Sequence, residues 1–280
     1  MRPVAIVTDS CCDLPTKILE QFNITVVPLS FMIDGRTYQD GEISSSEFYR
    51  LMKASPDLPK TSQPAVGAFI DAFNHALETA SDVVAVNISS KLSGTIESAR
   101  AAAKQVGDRI HVIDSLNLSM GQGLQVLAGA REAAKGSPLD AVVHVVESAR
   151  ERVDMLVGLD SLENLARGGR IGRVSALLGG LLNLKVTLTV GEDGAFVPVA
   201  RTRGTQGALQ HTLDWVAARM DGRNRAEFAV AHFEQPSAAE WIRERLEKIY
   251  DVSDMHLVET GPVIATHCGT GWGVTVLPAE

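Results

Sequence analysis

Short apolar, β-branched runs alternate with helical patterns along this chain, and this alternation limits the folds that it can adopt. Residues 4–8, 83–88 and 110–113 are strand-like. The apolar residues between these runs follow helical spacing, as Phe69 and Phe73 do. The order predicts an α/β fold whose first sheet is mostly parallel and flanked by helices, with loops at the strand ends available to a ligand.

The pattern changes in the second half of the chain. Residues 156–159 and 185–190 read as strands, and Asp193-Gly194 reads as a turn into another strand over residues 195–200. Helices and strands then alternate again. We therefore expect a second α/β unit with a mixed or antiparallel sheet.

Length and composition fit two such units. The chain has 280 residues, of which 45% are hydrophobic, so it can bury a large core. We predict an N-terminal α/β lobe over residues 1–150 and a C-terminal α/β lobe over residues 151–280, with no linker or composition shift at the boundary.

Several local patterns give more specific expectations. Residues 25–33 read as one strand that turns at Asp34-Gly35 into a hairpin. Residues 55–64 read as a loop, and Asp13 is a plausible N-cap for the first helix. Residues 266–273 read as a glycine-rich loop.

The charge balance and the first residues bear on partners and location. A net charge of -8 disfavours binding to nucleic acid or to anionic membrane surfaces. Residues 1–10 resemble a strand and not a secretory signal, so we expect a cytoplasmic protein. The strongly apolar run over residues 174–184 contains Gly179 and Gly180 and is too short to span a bilayer.

The chain contains three cysteines, Cys11, Cys12 and Cys268. They are too few for a disulfide framework, and their spacing is not that of a zinc site. We expect them to be buried or to lie in loops, and we predict no metal site.

Two polar loops are candidate anion sites. Residues 60–64 include Thr61 and Ser62 just before a helix, and residues 89–95 include Ser93 and Thr95 after a strand. Unpaired N–H groups at helix starts and neutral hydroxyl donors suit a carboxylate or a phosphate. Ordinary helix capping is the alternative for both loops.

His267 and Arg170 are the other candidates. His267 lies among glycines that allow close approach to a ligand, so we expect it to contact an anion. Arg170 follows Gly168-Gly169 after a predicted helix. It either holds a structural carboxylate or shapes the loop, and the structural role is favoured because helix C-termini attract cations.

A hydrolase is the alternative enzyme reading. Asp9 and Asp114 each end a predicted strand and precede a serine, which suits either local capping or a catalytic pair. Ser93 lacks the Gly-x-Ser-x-Gly elbow of α/β-hydrolases, and no base is tied to it in the sequence. We therefore predict no catalytic residue.

Eight short motifs together resemble the DegV family. They cover nearly the whole chain in the family's order and spacing, although each is weak alone. They are Thr8-Asp9-Ser10, Pro28-Leu29, Thr61-Ser62-Gln63-Pro64, Leu92-Ser93-Gly94-Thr95, Ile113-Asp114-Ser115, Gly168-Gly169-Arg170-Ile171, Leu182-Asn183-Leu184-Lys185 and His267-Cys268-Gly269.

The resemblance implies a two-lobed carrier protein that encloses a long-chain fatty acid in a slot between its lobes and needs no cofactor. Hydroxyls and a histidine would hold the carboxylate. Carried onto this chain, the fatty-acid-binding positions are Thr61, Ser62, Ser93, Thr95, Arg170 and His267.

The resemblance also implies a separate ATP-dependent fatty acid kinase as partner, with transient membrane contact left open. Arg203 matches a position associated with the acyl phosphate or with kinase docking. This chain has no Gly-x-x-x-x-Gly-Lys-[Ser/Thr] loop of its own for a nucleotide. It departs from the more basic family pattern at residues 204–207, which read Gly-Thr-Gln-Gly. A hydrolase of lipid or phosphate esters and a lipid sensor are the alternatives.

Overall fold

The computed structural model describes residues 2–177 and 184–279. Within them the chain forms strands β1 (Arg2–Asp9), β2 (Thr25–Val27), β3 (Ser30–Ile33), β4 (Arg36–Gln39), β5 (Lys60–Ser62), β6 (Ala80–Asn87), β7 (Ile110–Asp114), β8 (Asp154–Leu159), β9 (Leu184–Val190), β10 (Phe196–Arg203), β11 (Arg225–Phe233), β12 (Asp251–Glu259) and β13 (Gly271–Pro278).

Helices connect most of these strands. They are α1 (Thr16–Gln21), α2 (Ser45–Ala54), α3 (Val66–Leu77), α4 (Thr95–Val106), α5 (Ser119–Ala134), α6 (Leu139–Arg152), α7 (Glu163–Arg167), α8 (Gly204–Met220), α9 (Pro236–Ile249) and α10 (Pro262–Cys268), with short 3-10 helices over Ser10–Cys12 and Gly172–Leu177. None of the helices in the described ranges has both the length and the apolar character that crossing a membrane requires.

The first sheet is parallel, as the alternation of strands and helices predicts. Its strand order is β2-β1-β6-β7, and each neighbouring pair runs in the same direction. Val4 to Asp9 of β1 are buried because helices cover both faces of the sheet. The carboxyl ends of β1, β6 and β7 therefore lie along one edge.

The second sheet is mixed and has six strands in the order β10-β9-β8-β13-β11-β12. Only β11 and β12 pair in parallel, and the other neighbours are antiparallel. Strand β13 lies between β8 and β11, although it follows both in the sequence. This sheet confirms the prediction of a mixed C-terminal α/β unit.

The helices and the two large sheets form alternating layers. Phe69 and Phe73 of α3, together with α4, pack on one face of the parallel sheet. Helices α5 and α6 pack on its other face and also touch the mixed sheet, in one core that contains Ile6 and Leu277. Helices α8 and α9 cover the outer face of the mixed sheet. The division of the chain into two lobes at residue 150 remains a prediction, since α5 and α6 pack against both large sheets.

A third, antiparallel sheet has the order β4-β3-β5. The predicted turn at Asp34-Gly35 is confirmed, because these residues have φ of 49° and 80°, as a tight hairpin requires. Residues 25–33 are not one strand. Pro28 separates β2 from β3, since proline lacks the N–H that a continuing ladder needs.

Three other local expectations were wrong. The segment 55–64 is not all loop, because β5 pairs there with β3. Asp13 does not cap the first helix, which begins at Thr16 after Pro15. The stretch 266–273 is not a glycine-rich loop, since its first residues end α10 and its last residues begin β13. Gly179 and Gly180 of the apolar run, and Leu182 and Asn183 of the family motif, lie outside the described residues.

Candidate functional site

A cavity of about 320 Å³ lies where α10, the small sheet and the mixed sheet meet. We call it the main cavity. Its polar lining residues are Thr61, Ser62, Gln63, Ser93, Arg170 and His267, and the rest of its wall is formed by Cys11, Leu29, Ile88, Leu92, Leu118, Phe196, Val263, Ile264 and Cys268. The wall combines residues from both halves of the chain, and the volume lies in the range typical of ligand sites.

Thr61 and His267 form the central polar contact of the main cavity. Thr61 lies on β5, and its Oγ1 is 2.8 Å from Nε2 of His267, in the last turn of α10. The pairing of β5 with β3 sets the position of the threonine. A loop would leave this hydroxyl free to move, whereas the strand fixes it beside the histidine ring.

Burial keeps His267 neutral. The loss of solvent, with the nearby Arg170 charge as a second cause, lowers the pKa of His267 to about 4. Its Nδ1 has no hydrogen-bond partner among the described residues and faces Gly168, where a Cβ would collide with the ring. A neutral imidazole with one bonded nitrogen therefore borders the cavity near pH 7.

Arg170 ties two loops of the site together. Its Nε donates to the Leu92 carbonyl oxygen at 3.1 Å, and its Nη1 donates to the Gly168 carbonyl oxygen at 2.7 Å. The guanidinium thus shapes the loop, as one of the two sequence readings expects, and it also lines the main cavity. Its charge adds a positive potential beside His267.

The second polar loop carries Ser93 and Thr95. Ser93 lines the main cavity, and its Oγ lies 2.8 Å from Oγ1 of Thr95. Thr95 is fully buried at the start of α4, so it lies behind Ser93 and does not form part of the cavity wall. Gln63, which the motif contained but the sequence argument did not select, lines the cavity and donates to Ser98 Oγ at 3.0 Å.

Arg203 lies apart from these residues. It is exposed at the end of β10, immediately before α8, and is not part of the main cavity wall. The structure therefore brings together Thr61, Ser62, Ser93, Arg170 and His267, and it leaves Arg203 on the surface.

The inner side of the main cavity is apolar. A smaller cavity of about 30 Å³, here called the inner cavity, shares Leu118, Ile264 and Cys268 with the main cavity. Its other walls come mainly from β8, β11 and β13, among them Met155 and Gly273. The two cavities therefore adjoin at these three residues, and the polar side chains of the main cavity give way to a mostly apolar lining in the inner cavity.

The cysteines behave as apolar residues, as the sequence predicts. All three are free and buried. Burial raises the pKa of Cys268 to about 12 and also raises the pKa of Cys11, which lines the main cavity. Both thiols therefore stay protonated and add apolar surface to the cavity wall.

Asp9 and Asp114 hold the backbone in place. The Asp9 carboxylate is fully buried and accepts hydrogen bonds from the N–H groups of Cys11 at 3.0 Å and Ile88 at 2.8 Å. Asp114 accepts from the N–H groups of Ser90 and Leu116. These bonds match the capping interpretation of the two motifs and leave neither carboxylate on the main cavity wall.

Comparisons with known proteins agree over the whole chain. A family model described as "Uncharacterised protein, DegV family" matches residues 3–279. A DegV domain-containing protein of Streptococcus pyogenes is 36% identical over 273 residues, which are 97% of each chain. One from Deinococcus radiodurans is 37% identical over 272 residues, 96% of this chain and 95% of the relative.

Solved structures show the same architecture. A DegV family protein from Thermus thermophilus, described by its fatty acid binding, has 34% identity and a TM-score of 0.94, with 100% of both chains covered. DegV from Bacillus subtilis, described as a fatty acid binding protein, has 28% identity and a TM-score of 0.90 with 100% coverage of both chains. A stearic acid-binding protein from Eubacterium ventriosum has 27% identity and a TM-score of 0.90, with 98% of each chain covered.

Proposed function

The chain belongs to the DegV family, and on this premise we propose that it binds one long-chain fatty acid along the path formed by the main and inner cavities. The carboxylate lies at the Thr61–His267 end, and the acyl chain points toward the inner cavity. The observation that carries the proposal is this change from polar to apolar lining between two adjoining cavities.

The apolar walls supply most of the binding free energy. Each methylene removed from water contributes about 0.8 kcal/mol, so an enclosed acyl chain outweighs any single hydrogen bond at its head. Leu118 and Ile264 border both cavities and therefore flank the chain where it passes inward. The polar end then fixes the direction in which the fatty acid lies.

The polar end suits a carboxylate because it offers donors. With the proton of His267 on Nε2, the imidazole donates to Thr61 Oγ1, and the threonine hydroxyl remains free to donate to the ligand. Ser62 and Ser93 line the same end. Arg170 adds a positive charge, which stabilises an anion in a site of low polarity.

We also propose that the bound fatty acid is presented to a separate ATP-dependent kinase. A carboxylate oxygen would attack the γ-phosphorus of ATP, with ADP as the leaving group, while this chain keeps the acyl tail enclosed. The use of ATP places the step in the cytoplasm, and delivery of the acyl phosphate to phospholipid synthesis would bring transient membrane contact. In this scheme the chain is a carrier with no catalytic residue of its own.

Arg203 is the residue that we assign to the kinase step. It is exposed beside the start of α8 and apart from the cavity wall. An exposed guanidinium can pair with a phosphate or with an acidic partner surface.

Native mass spectrometry tests fatty acid binding. The purified protein is expected to carry an added mass equal to one fatty acid, which denaturation releases intact. The protein is then incubated with fatty acids of several lengths. A ligand-free mass that stays unchanged after this incubation would contradict the proposal.

A pair of arginine variants tests the kinase step. Arg203→Ala is expected to lower the transfer of labelled phosphate from ATP to the bound fatty acid about tenfold in an extract of the source cells, with lipid occupancy unchanged. Arg201→Ala is the matched control, because Arg201 is exposed on the same strand two residues earlier. Equal phosphate transfer with both variants would show that Arg203 has no specific role in the kinase step.

A further inference from the structure

Helix α10 supplies a large part of the cavity wall. Val263, Ile264, His267 and Cys268 all lie on this helix and line the main cavity. The helix has only seven residues, so its own hydrogen bonds hold it weakly. Its position must therefore come from contacts with neighbouring segments.

Two aspartates from the first half of the chain bind the start of α10. Asp13 Oδ1 accepts a hydrogen bond from the Gly261 N–H at 3.0 Å, and Asp40 Oδ1 accepts one from the Val263 N–H at 3.2 Å. Pro262, between these two donors, has no N–H to offer. The two carboxylates thus engage both backbone donors that flank Pro262.

Both aspartates are themselves held in place. Ser119 Oγ donates to the other oxygen of Asp13 at 2.5 Å, and the Ser10 hydroxyl donates to Asp40. Asp13 has a left-handed backbone with φ of 51°, directly after the 3-10 helix of residues 10–12. A surface groove of about 520 Å³ reaches both carboxylates, so protons can exchange with solvent there.

We propose that Asp13 and Asp40 are positioning residues of the fatty-acid site, which fix the first turn of α10 and thereby place His267 against Thr61. Neither aspartate lines the main cavity, so both act through the helix. Any effect of these aspartates on fatty acid release rests on the proposed function, whereas their role in holding α10 in place does not.

The acid pair also gives the site a dependence on pH. Burial is the largest cause that raises the pKa of Asp13 to about 7 and that of Asp40 to about 6, and a neighbouring carboxylate is a smaller cause in the same direction for each. The other titratable groups around the pair are the buried Asp9, Cys11, Cys12 and Cys268 and the exposed Glu259. The Asp40 charge is one cause of the raised pKa of Asp13, so ionisation of Asp40 opposes ionisation of Asp13.

The direction of the pH effect follows from the raised pKa values. A carboxyl group whose pKa is higher in contact with α10 than in solvent favours that contact when it is protonated. As the pH rises from 5 to 8, negative charge accumulates beside α10, and the position of α10 in contact with the two aspartates becomes less favourable. Bound fatty acid is therefore expected to leave about tenfold faster at pH 8 than at pH 5 through this effect.

Paired substitutions separate positioning from charge. Asp13→Ala and Asp40→Ala each remove an acceptor, and each is expected to speed fatty acid release about tenfold at pH 5.5. Asp13→Asn and Asp40→Asn keep an acceptor oxygen without the charge. Both asparagine variants are expected to release fatty acid at nearly the wild-type rate at pH 5.5. Their release rate is not expected to increase toward pH 8. Asp71→Asn, on the exposed side of α3, is the control for the same chemical change.

Release is measured by stopped-flow with a preloaded fluorescent fatty acid and an excess of unlabelled competitor. Titration of the fatty acid's own carboxyl group is common to all variants, so the difference from wild type isolates the acid pair. Alanine variants that release no faster than wild type, or asparagine variants that keep the full pH dependence, would overturn the proposal.

Amide hydrogen exchange gives a readout without ligand. In the lipid-free protein, the Gly261 and Val263 amides are expected to exchange about tenfold faster in Asp13→Ala and Asp40→Ala respectively, after correction for intrinsic rates. Unchanged protection would overturn the positioning role. Faster exchange in a protein that retains no fatty acid even as wild type would support that role and contradict the proposed function instead.

Discussion

Thr61 and His267 are 206 positions apart in the sequence, yet Oγ1 of the threonine lies 2.8 Å from Nε2 of the histidine. One comes from an edge strand of the small sheet and the other from the end of a short helix. The contact joins the two halves of the chain at the polar end of the main cavity. It makes the two side chains one hydrogen-bonded unit.

The first prediction concerns this unit. Thr61→Val and His267→Ala are each expected to weaken fatty acid binding about fivefold, because the first removes the hydroxyl that donates to the head group and the second removes the hydrogen bond that orients this hydroxyl. The double variant is expected to lose little more than either single variant, since both changes interrupt the same chain of donors. Titration with a fluorescent fatty acid measures all four affinities, and circular dichroism confirms the fold. Fully additive losses would show that the residues act separately.

The second prediction concerns stability at low pH. The pKa of His267 is lowered to about 4 in the folded protein, whereas the ordinary pKa of histidine is about 6.5. Between pH 4 and pH 6.5 the unfolded chain therefore binds more protons at His267 than the folded protein does. Stability linked to His267 is therefore present above pH 6.5 and is lost as the pH falls toward 4.

Urea unfolding of wild type and His267→Gln at pH 7 and pH 4.5 checks this sign. The free energy of unfolding is expected to fall about 2 kcal/mol more in wild type, since glutamine does not titrate. Titration of Asp13 and Asp40 changes the free energy of unfolding equally in wild type and in His267→Gln. His75→Gln on the exposed face of α3 is the control, and an equal fall in wild type and His267→Gln would contradict the prediction.

The third prediction separates binding from hydrolysis. Ser93→Ala removes a hydroxyl from the cavity wall and is expected to lower fatty acid affinity about fivefold. The bond of Ser93 Oγ to Thr95 gives it no base, so neither wild type nor variant is expected to turn over p-nitrophenyl esters above background. Ser90→Ala, exposed on the same loop, is the control. Ester turnover that disappears in Ser93→Ala would favour a hydrolase.

The fourth prediction concerns chain length. A Cβ at position 273 would lie 3.1 Å from Met155 Cε, and both residues line the inner cavity. Gly273→Ala is therefore expected to shorten the space for the acyl terminus and to cost long chains about fourfold in affinity per displaced methylene. Lipids released from the two proteins are compared by mass spectrometry. Gly67→Ala, with open space around it, is the control, and an identical chain-length distribution would refute the idea.

The sequence predicted the large elements because their signals are local. Strands β1, β6 and β7 are apolar and β-branched, and the helices between them show a regular apolar face. The hairpin at Asp34-Gly35 was predictable for the same reason, since the turn needs residues that accept positive φ.

The missed elements depend on tertiary contacts. Strand β5 has only three residues, all polar, and exists through its pairing with β3. Helix α10 is short and is followed by glycines, although Pro262 at its start was a usable signal. The motifs contain the polar residues that line the main cavity, but no local pattern could show that Asp13 and Asp40 meet at Gly261 and Val263.

The central position of β13 in the mixed sheet has a consequence for biosynthesis. Strands β8 and β11 do not pair with each other, and β13 is the strand that joins them. A growing chain on the ribosome cannot complete this sheet before residues 271–278 have emerged, and α10 comes only just before them. Because α10 lines the main cavity, the binding site that we propose can form only after α10 has emerged, so on that proposal a nascent chain binds no fatty acid before then.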